Sequence, residues 1–239
     1  MDLRYRRILL KISGQALYNK SHFGVDPDVL AYKAAEIREI VSHGCEVGIV
    51  VGGGNFFRGR DLTKAGINRV TGDQMGMMAT VMNALAMRDV FERHGVETRI
   101  MSSFSILGVV SHFDLRKAQR HMRLGRVIIF AGGTGNPLVT TDSAASLRAI
   151  ELEADALFKL TRVDGVYSAD PEINAKAKQF DHITYKDVIE NNYNVMDMVA
   201  FYQCWEHKIP ICVFNMFQKG ALAEAVQGHQ VGTLVSEEM

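Results

Sequence analysis

The sequence predicts an α/β protein, a three-layer sandwich in which helices cover both faces of a mainly parallel central sheet. Three observations favour this class. Short apolar runs rich in Val, Ile and Leu, typical of buried parallel strands, recur along the chain. Segments with the apolar spacing of amphipathic helices alternate with these runs. Several runs stop at lysine-containing or glycine-rich loops, which is where open parallel sheets bind their ligands.

Length and composition narrow the possible functions. The 239 residues suit one α/β domain, or two lobes that share a sheet. Lys plus Arg and Asp plus Glu each total 27, so we expect no nucleic-acid polymer as a ligand. The three cysteines form no C-x-x-C pair, which favours a reduced, cytoplasmic protein. No apolar run approaches the roughly 20 residues that a membrane span needs, so no membrane association is expected.

The first strand is predicted at Arg7–Ile12, directly before Ser13. Its Lys11 lies next to the end of the run, where an ammonium group can emerge at the sheet edge. A surface lysine without function is the alternative interpretation. A helix should begin after Asp26, because Asp is a good N-cap and the following Pro27 suits the first helical position.

Residues 47–58, reading V-G-I-V-V-G-G-G-N-F-F-R, are the stretch around which the chain is organised. Its apolar run predicts a buried strand that ends at Gly52. Glycines 52–54 have no Cβ, so their backbone N–H groups can approach a ligand closely. With Arg58 four residues beyond, they favour an anion such as a phosphate. From local composition alone, a simple strand-to-loop turn is an equally good interpretation.

Residues 58–70 are polar and contain glycine, so they are predicted to form a mobile loop. A long helix is predicted at 74–94, after Gly72 and Asp73. Its methionines and other apolar residues cover more than one face, which predicts burial by the core and by an oligomer contact.

A second glycine-rich loop, A-G-G-T-G-N-P-L-V-T-T-D, occupies residues 131–142. Thr141 and Asp142 would open a helix whose first N–H groups are unpaired. The next strand carries Lys159 near its end, followed by turn signals up to Pro171. Other predicted strands are 97–101, 126–130, 156–160, 211–214 and 233–235, with Ile183 in a further strand position. Other predicted helices are 114–124, 143–151, 185–190, 197–207 and 221–226.

One sheet edge should therefore bring together two lysines, an arginine, two glycine loops, a helix N-terminus and carboxylates. Phosphoryl transfer needs such groups, because positive charges and N–H donors stabilise the negative oxygens of the moving group. The sequence contains neither the P-loop pattern G-x-x-x-x-G-K-[ST] nor the dinucleotide pattern G-x-G-x-x-G. The phosphate site must therefore have another design.

Five motifs resemble the amino acid kinase superfamily, most closely the bacterial uridylate kinases, over nearly the whole chain. These motifs are Lys11-Ile-Ser-Gly14, Gly52-Gly-Gly-Asn55 with Arg58, Gly72-Asp73, residues 135–142 and residues 159–171. The segment M-G-M-M-A-T-V-M-N-A-L-A-M-R-D at 75–89 points to the uridylate branch. The resemblance implies ATP + UMP → ADP + UDP with Mg²⁺ in pyrimidine nucleotide biosynthesis, and a cytoplasmic homohexamer activated by GTP and inhibited by UTP. It also implies one amino acid kinase-like domain, 1–239, with an acceptor lobe at about 1–152 and an ATP lobe at about 153–239.

The resemblance assigns site residues by their match to these motifs. Lys11 and Lys159 would stabilise the transferred group, and Asp142 would orient both lysines. Arg58 would clamp phosphate charge, and Mg²⁺ would arrive with ATP near Asp170. The residues implied to bind ATP are Lys11, Ile12, Ser13, Gly14, Gly54, Arg58, Thr161, Tyr167 and Asp170. Those implied to bind UMP are Gly53, Asp73, Thr134, Gly135, Asn136, Pro137, Leu138, Val139, Thr140 and Thr141.

Two sequence features that bear on regulation depart from the family pattern. Arg88 and Arg99 match effector-site arginines, but Glu92 replaces a histidine that is frequent there. Residues 19–24 keep only the final Phe-Gly of an effector-linked segment.

Three other functions remain open. The same fold could phosphorylate a carboxylate, as acetylglutamate and aspartate kinases do. A nucleotide sensor could bind GTP or UTP without turnover, although Lys11, Asp142 and Lys159 argue against it. A dinucleotide oxidoreductase lacks its fingerprint glycines.

Overall fold

The computed structural model describes residues 1–18, 24–57, 59–171, 173–174, 176–193 and 195–237. Within these ranges, one nine-stranded sheet has the order β4-β3-β5-β2-β1-β6-β8-β9-β7. All neighbouring strands are parallel except β8 and β9. The strands are β1 (Arg7–Ile12), β2 (Glu46–Val51), β3 (Thr98–Ser102), β4 (Ser111–His112), β5 (Val127–Ala131), β6 (Ala156–Thr161), β7 (His182–Thr184), β8 (Ile211–Asn215) and β9 (Thr233–Ser236).

Helices cover both faces of this sheet, as the sequence predicted. They are α1 (Pro27–Ser42), α2 (Gly59–Lys64), α3 (Arg69–Arg93), α4 (Leu115–Arg123), α5 (Thr141–Glu151), α6 (Tyr185–Glu190), α7 (Met198–Glu206) and α8 (Ala221–Val226). A 3₁₀ turn, Gly14–Leu17, follows β1. As predicted, Asp26 caps α1 by accepting from the backbone N–H of Asp28.

Alternating side chains of the central strands divide the core into two layers. Leu10 of β1 packs in a cluster with α1, α3 and α8, whereas the adjacent Leu9 packs in a cluster with α4, α5 and α7. Successive strand side chains point to opposite faces, so a strand buried on both sides must be apolar throughout. The predicted three-layer α/β class is therefore confirmed.

Within its described part, the prediction of a loop over 58–70 holds only for residues 65–68. Helix α2 occupies Gly59–Lys64, and α3 already begins at Arg69. The side chain of Asn68 accepts from the N–H of Val70 and so caps α3, which begins five residues before the predicted start. Arg69 and Asp73 then form an ion pair across the first turn at 3.0 Å. The first turn of α3 is largely polar, so it lacks the apolar spacing from which a helix is predicted.

The sheet order brings together the four strand ends that carry candidate site residues. Strands β5, β2, β1 and β6 are consecutive in the sheet, so their carboxyl ends form its central edge. Strands from the first 152 residues form one half of the sheet, and those from 153 onward form the other half. Among the described residues, no helix has the length and apolar character to cross a membrane.

Candidate functional site

Two lysines and one carboxylate form the centre of the site. Lys11 and Lys159 are register partners on β1 and β6. The Nζ atom of Lys11 lies 2.6 Å from Oδ1 of Asp142, and that of Lys159 lies 2.9 Å from Oδ2. Lys159 also donates to the backbone carbonyl of Val195 at 2.6 Å. One carboxylate thus holds two like charges side by side at the sheet edge, as the sequence analysis expected.

The pKa of Asp142 reflects this arrangement. Burial alone would raise the pKa, but the charges of Lys11 and Lys159 outweigh burial and lower it to about 2. Burial lowers the pKa of Lys159 from its usual value, against the opposing effect of the Asp142 carboxylate, while neighbouring Lys11 adds to the lowering. The carboxylate is therefore ionised across the physiological pH range.

The N-terminus of α5 places Asp142 between the lysines. Thr140 caps this helix, which begins at Thr141, by accepting from the N–H groups of Asp142 and Ser143 at 3.0 and 3.4 Å. Asp197 in turn accepts from the hydroxyls of Thr140 and Ser143. The same carboxylate caps α7 through the N–H of Ala200 at 2.9 Å. Asp197 therefore joins two helix N-termini beside the lysine pair.

Close backbone approach explains the glycines of the first loop. The N–H of Gly52 donates to the carbonyl of Ile12 at 2.9 Å, which ties the loops after β1 and β2 together. A Cβ at Gly14 would lie 2.6 Å from the carbonyl oxygen of Gly52, and one at Gly53 would lie 2.4 Å from that of Gly76. No real Cβ tolerates such distances, so only glycine fits at positions 14 and 53.

Helix α3 supplies polar partners that the sequence analysis did not identify. Asn83 is fully buried and donates to the carbonyl of Gly52 at 2.7 Å. Thr80 is also buried, and its hydroxyl accepts from the N–H of Gly132 at 2.7 Å. Each residue holds one glycine loop. The only sequence signal was a polar residue within a methionine-rich, apolar helix.

A cleft of about 130 Å³ lies between α3 and the two glycine loops. Of the residues expected to bind UMP, it is lined by Gly53, Asp73, Asn136, Val139 and Thr141. The carboxylate of Asp73 accepts from the N–H of Leu138 at 2.9 Å and so links α3 to the second loop. The lining does not include the remaining UMP candidates, Thr134, Gly135, Pro137, Leu138 and Thr140, although they belong to the same loop.

The candidate ATP residues fall into two groups. Ile12, Ser13 and Gly14 follow Lys11 and adjoin the first glycine loop. Tyr167 and Asp170 line a cavity of about 510 Å³ beyond the end of β6, together with residues 191–193. Thr161 ends β6 between these groups, and its hydroxyl donates to the carbonyl of Val163 at 2.6 Å. Arg58 lies outside the described residues, so its role stays a prediction.

The two candidate effector residues line a separate cavity. Arg88 and Arg99 line a cavity of about 460 Å³ together with Thr98 and Glu92. Arg99 lies 3.6 Å from Glu92 and 2.8 Å from Glu97, so part of its charge is neutralised within the chain. Among the described residues, no three His, Cys, Asp or Glu side chains come together as a metal cluster.

The chain is similar in sequence to proteins of one known family. A sequence model of the amino acid kinase family matches residues 6–215. Uridylate kinase of Pseudomonas savastanoi pv. phaseolicola (strain 1448A / Race 6) is 55% identical over 234 residues, which cover 98% of this chain and 95% of that protein. Uridylate kinase of Legionella pneumophila (strain Paris) is 55% identical over 233 residues, 98% of this chain and 94% of the relative.

The fold is similar to those of solved structures. UMP kinase from Bacillus anthracis superposes with a TM-score of 0.94 at 37% identity, covering 98% of this chain and 97% of that one. UMP kinase from Ureaplasma parvum superposes with a TM-score of 0.91 at 34% identity, covering 98% of this chain and 100% of the other.

Proposed function

Because the chain belongs to the amino acid kinase family and, within it, to the uridylate kinases, we propose that it transfers the γ-phosphoryl group of ATP directly to UMP. The chain is a nucleoside monophosphate kinase. The products of the proposed reaction are UDP and ADP, and UDP feeds pyrimidine nucleotide (CTP) biosynthesis. The observation that carries this proposal is the single carboxylate of Asp142, which holds Lys11 and Lys159 at the edge between two glycine loops.

The two lysines would stabilise the phosphoryl group during in-line transfer. Charge spreads over the three equatorial oxygens of the moving group, so ammonium groups from two strands can each contact it. Asp142 keeps Lys11 and Lys159 side by side without accepting either proton, because its pKa is held at about 2. The N–H of Gly53 would face the acceptor phosphate and that of Gly54 the ATP phosphates.

The surrounding loops would bind the two nucleotides. Asp73 would accept from the UMP ribose, and residues 134–141 would form the wall of the UMP site. Ser13 and Gly14 would contact the ATP phosphates, while Tyr167, with Thr161 and Asp170, would hold the adenine nucleotide. These assignments support an acceptor lobe at about 1–152 and an ATP lobe at about 153–239, which meet where β1 pairs with β6.

Mg²⁺ would enter with ATP. Kinases commonly hold this ion through substrate phosphates and one or two carboxylates, and Asp170 supplies one carboxylate at the cavity beyond β6. When bound, the ion would neutralise charge on the ATP phosphates.

Assembly and regulation belong to the same proposal. Met78 and Met82 are each 46% exposed on α3, which supports an oligomer contact of the kind a homohexamer needs. The cavity at Arg88 and Arg99 supports binding of an anionic effector, GTP as activator or UTP as inhibitor. The three described cysteines are buried and unpaired, in keeping with a cytoplasmic protein.

A coupled assay of ADP release tests the proposal. The purified protein is incubated with Mg-ATP and with UMP, CMP, dTMP, acetylglutamate or aspartate, with and without GTP or UTP. We expect turnover with UMP far above that with the other acceptors. Turnover with a carboxylate alone would show an amino acid kinase, and nucleotide binding without any ADP release would show a sensor.

A further inference from the structure

The side chains of Asn83 and Asn55 form a reciprocal amide pair beneath the first glycine loop. Asn55 Nδ2 donates to Asn83 Oδ1 at 2.8 Å, and Asn83 Nδ2 donates to Asn55 Oδ1 at 2.7 Å. Asn83 Nδ2 donates a second time, to the carbonyl oxygen of Gly52 at 2.7 Å. Asn55 Nδ2 also donates to the carbonyl of Gly24 at 2.5 Å. Four hydrogen bonds thus join α3, the loop after β2 and the segment before α1.

The bond to Gly52 fixes the direction of a catalytic N–H. The carbonyl of Gly52 and the N–H of Gly53 belong to one peptide unit, and the described chain contains no cis peptide bond. In a trans peptide the C=O and N–H point in opposite directions. Because the amide of Asn83 holds the carbonyl of Gly52, the N–H of Gly53 on the same peptide unit points away from that amide.

We propose that Asn83 is a positioning residue for phosphoryl transfer, which aims the N–H of Gly53 at the acceptor phosphate by holding the Gly52 carbonyl. This inference rests on the proposed function. Asn83 is 0% exposed, so its amide is shielded from bulk solvent. Without it, the carbonyl of Gly52 and the amide of Asn55 would both lose a buried partner, and the peptide unit could rotate.

The same displacement would reach Lys11 through the loop after β1. A Cβ at Gly14 would lie 2.6 Å from the Gly52 carbonyl oxygen and 2.7 Å from Asn55 Oδ1, so the backbone of Gly14 packs closely against the Gly52 backbone and the Asn55 side chain. The N–H of Gly52 also donates to Ile12, the neighbour of Lys11. A shift of the Gly52 peptide therefore changes the position of both phosphate loops.

The test compares Asn83→Ala, Asn83→Asp, Asn55→Ala and the double alanine variant with wild type. Asn83→Asp keeps an acceptor for Asn55 but has no donor for the Gly52 carbonyl. Met87→Ala, one turn farther along α3 and 0% exposed in the core, is the matched control for lost packing. Thermal unfolding and steady-state kinetics with UMP and Mg-ATP are measured for each.

We expect kcat of Asn83→Ala and Asn83→Asp to fall about 10²-fold, the size of effect that a 1 Å misplacement produces. Any rise in the KM for ATP through the loop after β1 should be smaller than the loss of kcat, and the double variant should lose little more than Asn83→Ala because the two amides act as a unit. Met87→Ala should lower the melting temperature and keep the wild-type kcat.

A folded Asn83→Ala with wild-type kcat would overturn the inference while leaving the proposed function intact. An equal loss of kcat in Met87→Ala would also overturn it, because loss of packing would then explain the effect. If Asn83→Ala does not fold, Asn83→Asp decides by the same criterion, because it also lacks the donor to the Gly52 carbonyl. Absence of ADP release from wild type with every acceptor would contradict the proposed function and this inference together.

Discussion

Lys11 and Lys159 are register partners on two neighbouring parallel strands, and both of their ammonium groups contact one carboxylate. Two buried like charges this close would repel, so the arrangement depends on Asp142. The excess positive charge lies at the sheet edge, where β1 and β6 end beside both glycine loops.

Asp142→Asn should remove a pH-dependent part of the stability. The ionised carboxylate is favoured in the folded state because its pKa falls from 3.8 to about 2. Its contribution is therefore complete above pH 3.8 and is lost as the pH falls toward 2. We expect this part to be about 2 kcal/mol. Urea unfolding of wild type and variant between acid and neutral pH measures it, and a difference that is independent of pH would contradict the prediction.

Lys159 should produce an alkaline limb in the pH profile of kcat/KM for UMP. Burial lowers the pKa of this lysine. In the free enzyme, Lys159 should therefore lose its charge, and the enzyme its activity, at a pH below 10.5, the usual pKa of lysine. Lys159→Arg keeps the charge at all accessible pH values and should remove the limb, although its kcat should be lower. An identical limb in Lys159→Arg would assign the titration to another group.

Gly53→Ala should be far more harmful than Gly54→Ala. A Cβ at position 53 would lie 2.4 Å from the carbonyl oxygen of Gly76, whereas one at 54 meets nothing closer than the side chain of Gln15 at 3.7 Å. We expect Gly53→Ala to destabilise the protein by about 1–3 kcal/mol, as overpacking does. It should also raise the KM for UMP, because the displaced loop borders the acceptor cleft. Melting temperatures and UMP kinetics of the two variants measure the difference. Equal effects of the two substitutions would contradict the prediction.

Asp197→Ala should reduce both stability and kcat. The substitution removes an N-cap from α7, which costs about 1 kcal/mol, and frees the hydroxyls of Thr140 and Ser143 beside Asp142. Asp114→Ala is a matched control, because Asp114 caps α4 in the same way through the N–H of Lys117. Both variants should unfold at reduced urea concentrations, Asp197→Ala at the lower one because it also loses its bonds to two hydroxyls, but only Asp197→Ala should lower kcat. Equal kcat values would show that Asp197 serves stability alone.

The sequence predicted the residues that follow directly from strand geometry. Lys11 and Lys159 each lie near the end of an apolar run, and parallel strands place such ends on one edge. Glycines 52–54 were predicted from their place at a strand end, but for close approach to a ligand. The close contacts of Gly14 with the Gly52 carbonyl and of Gly53 with that of Gly76 depend on tertiary packing and were not predicted. Carboxylate bridging by Asp142 came from the family resemblance and could not be derived from spacing.

Residues that act across long sequence distances could not be predicted from local pattern. Asn83 and Thr80 contact loops 31 and 52 residues away, and Asp197 contacts Thr140 at a separation of 57. Their partners depend on how α3 and α7 pack on the sheet, which apolar periodicity does not specify. The start of α3 was missed for a different reason, because its polar first turn is exposed and is identified only by the Asn68 cap.

The most direct test of the account follows labelled phosphoryl from [γ-³²P]ATP to UMP in wild type, Lys11→Met and Lys159→Met. We predict labelled UDP from wild type, and a rate about 10²–10³-fold lower from each variant, the usual effect of losing one donor to a developing negative charge. The melting temperatures verify that the variants are folded. Wild-type rates of UDP formation in both variants would contradict the claim that these two lysines stabilise the transferred group.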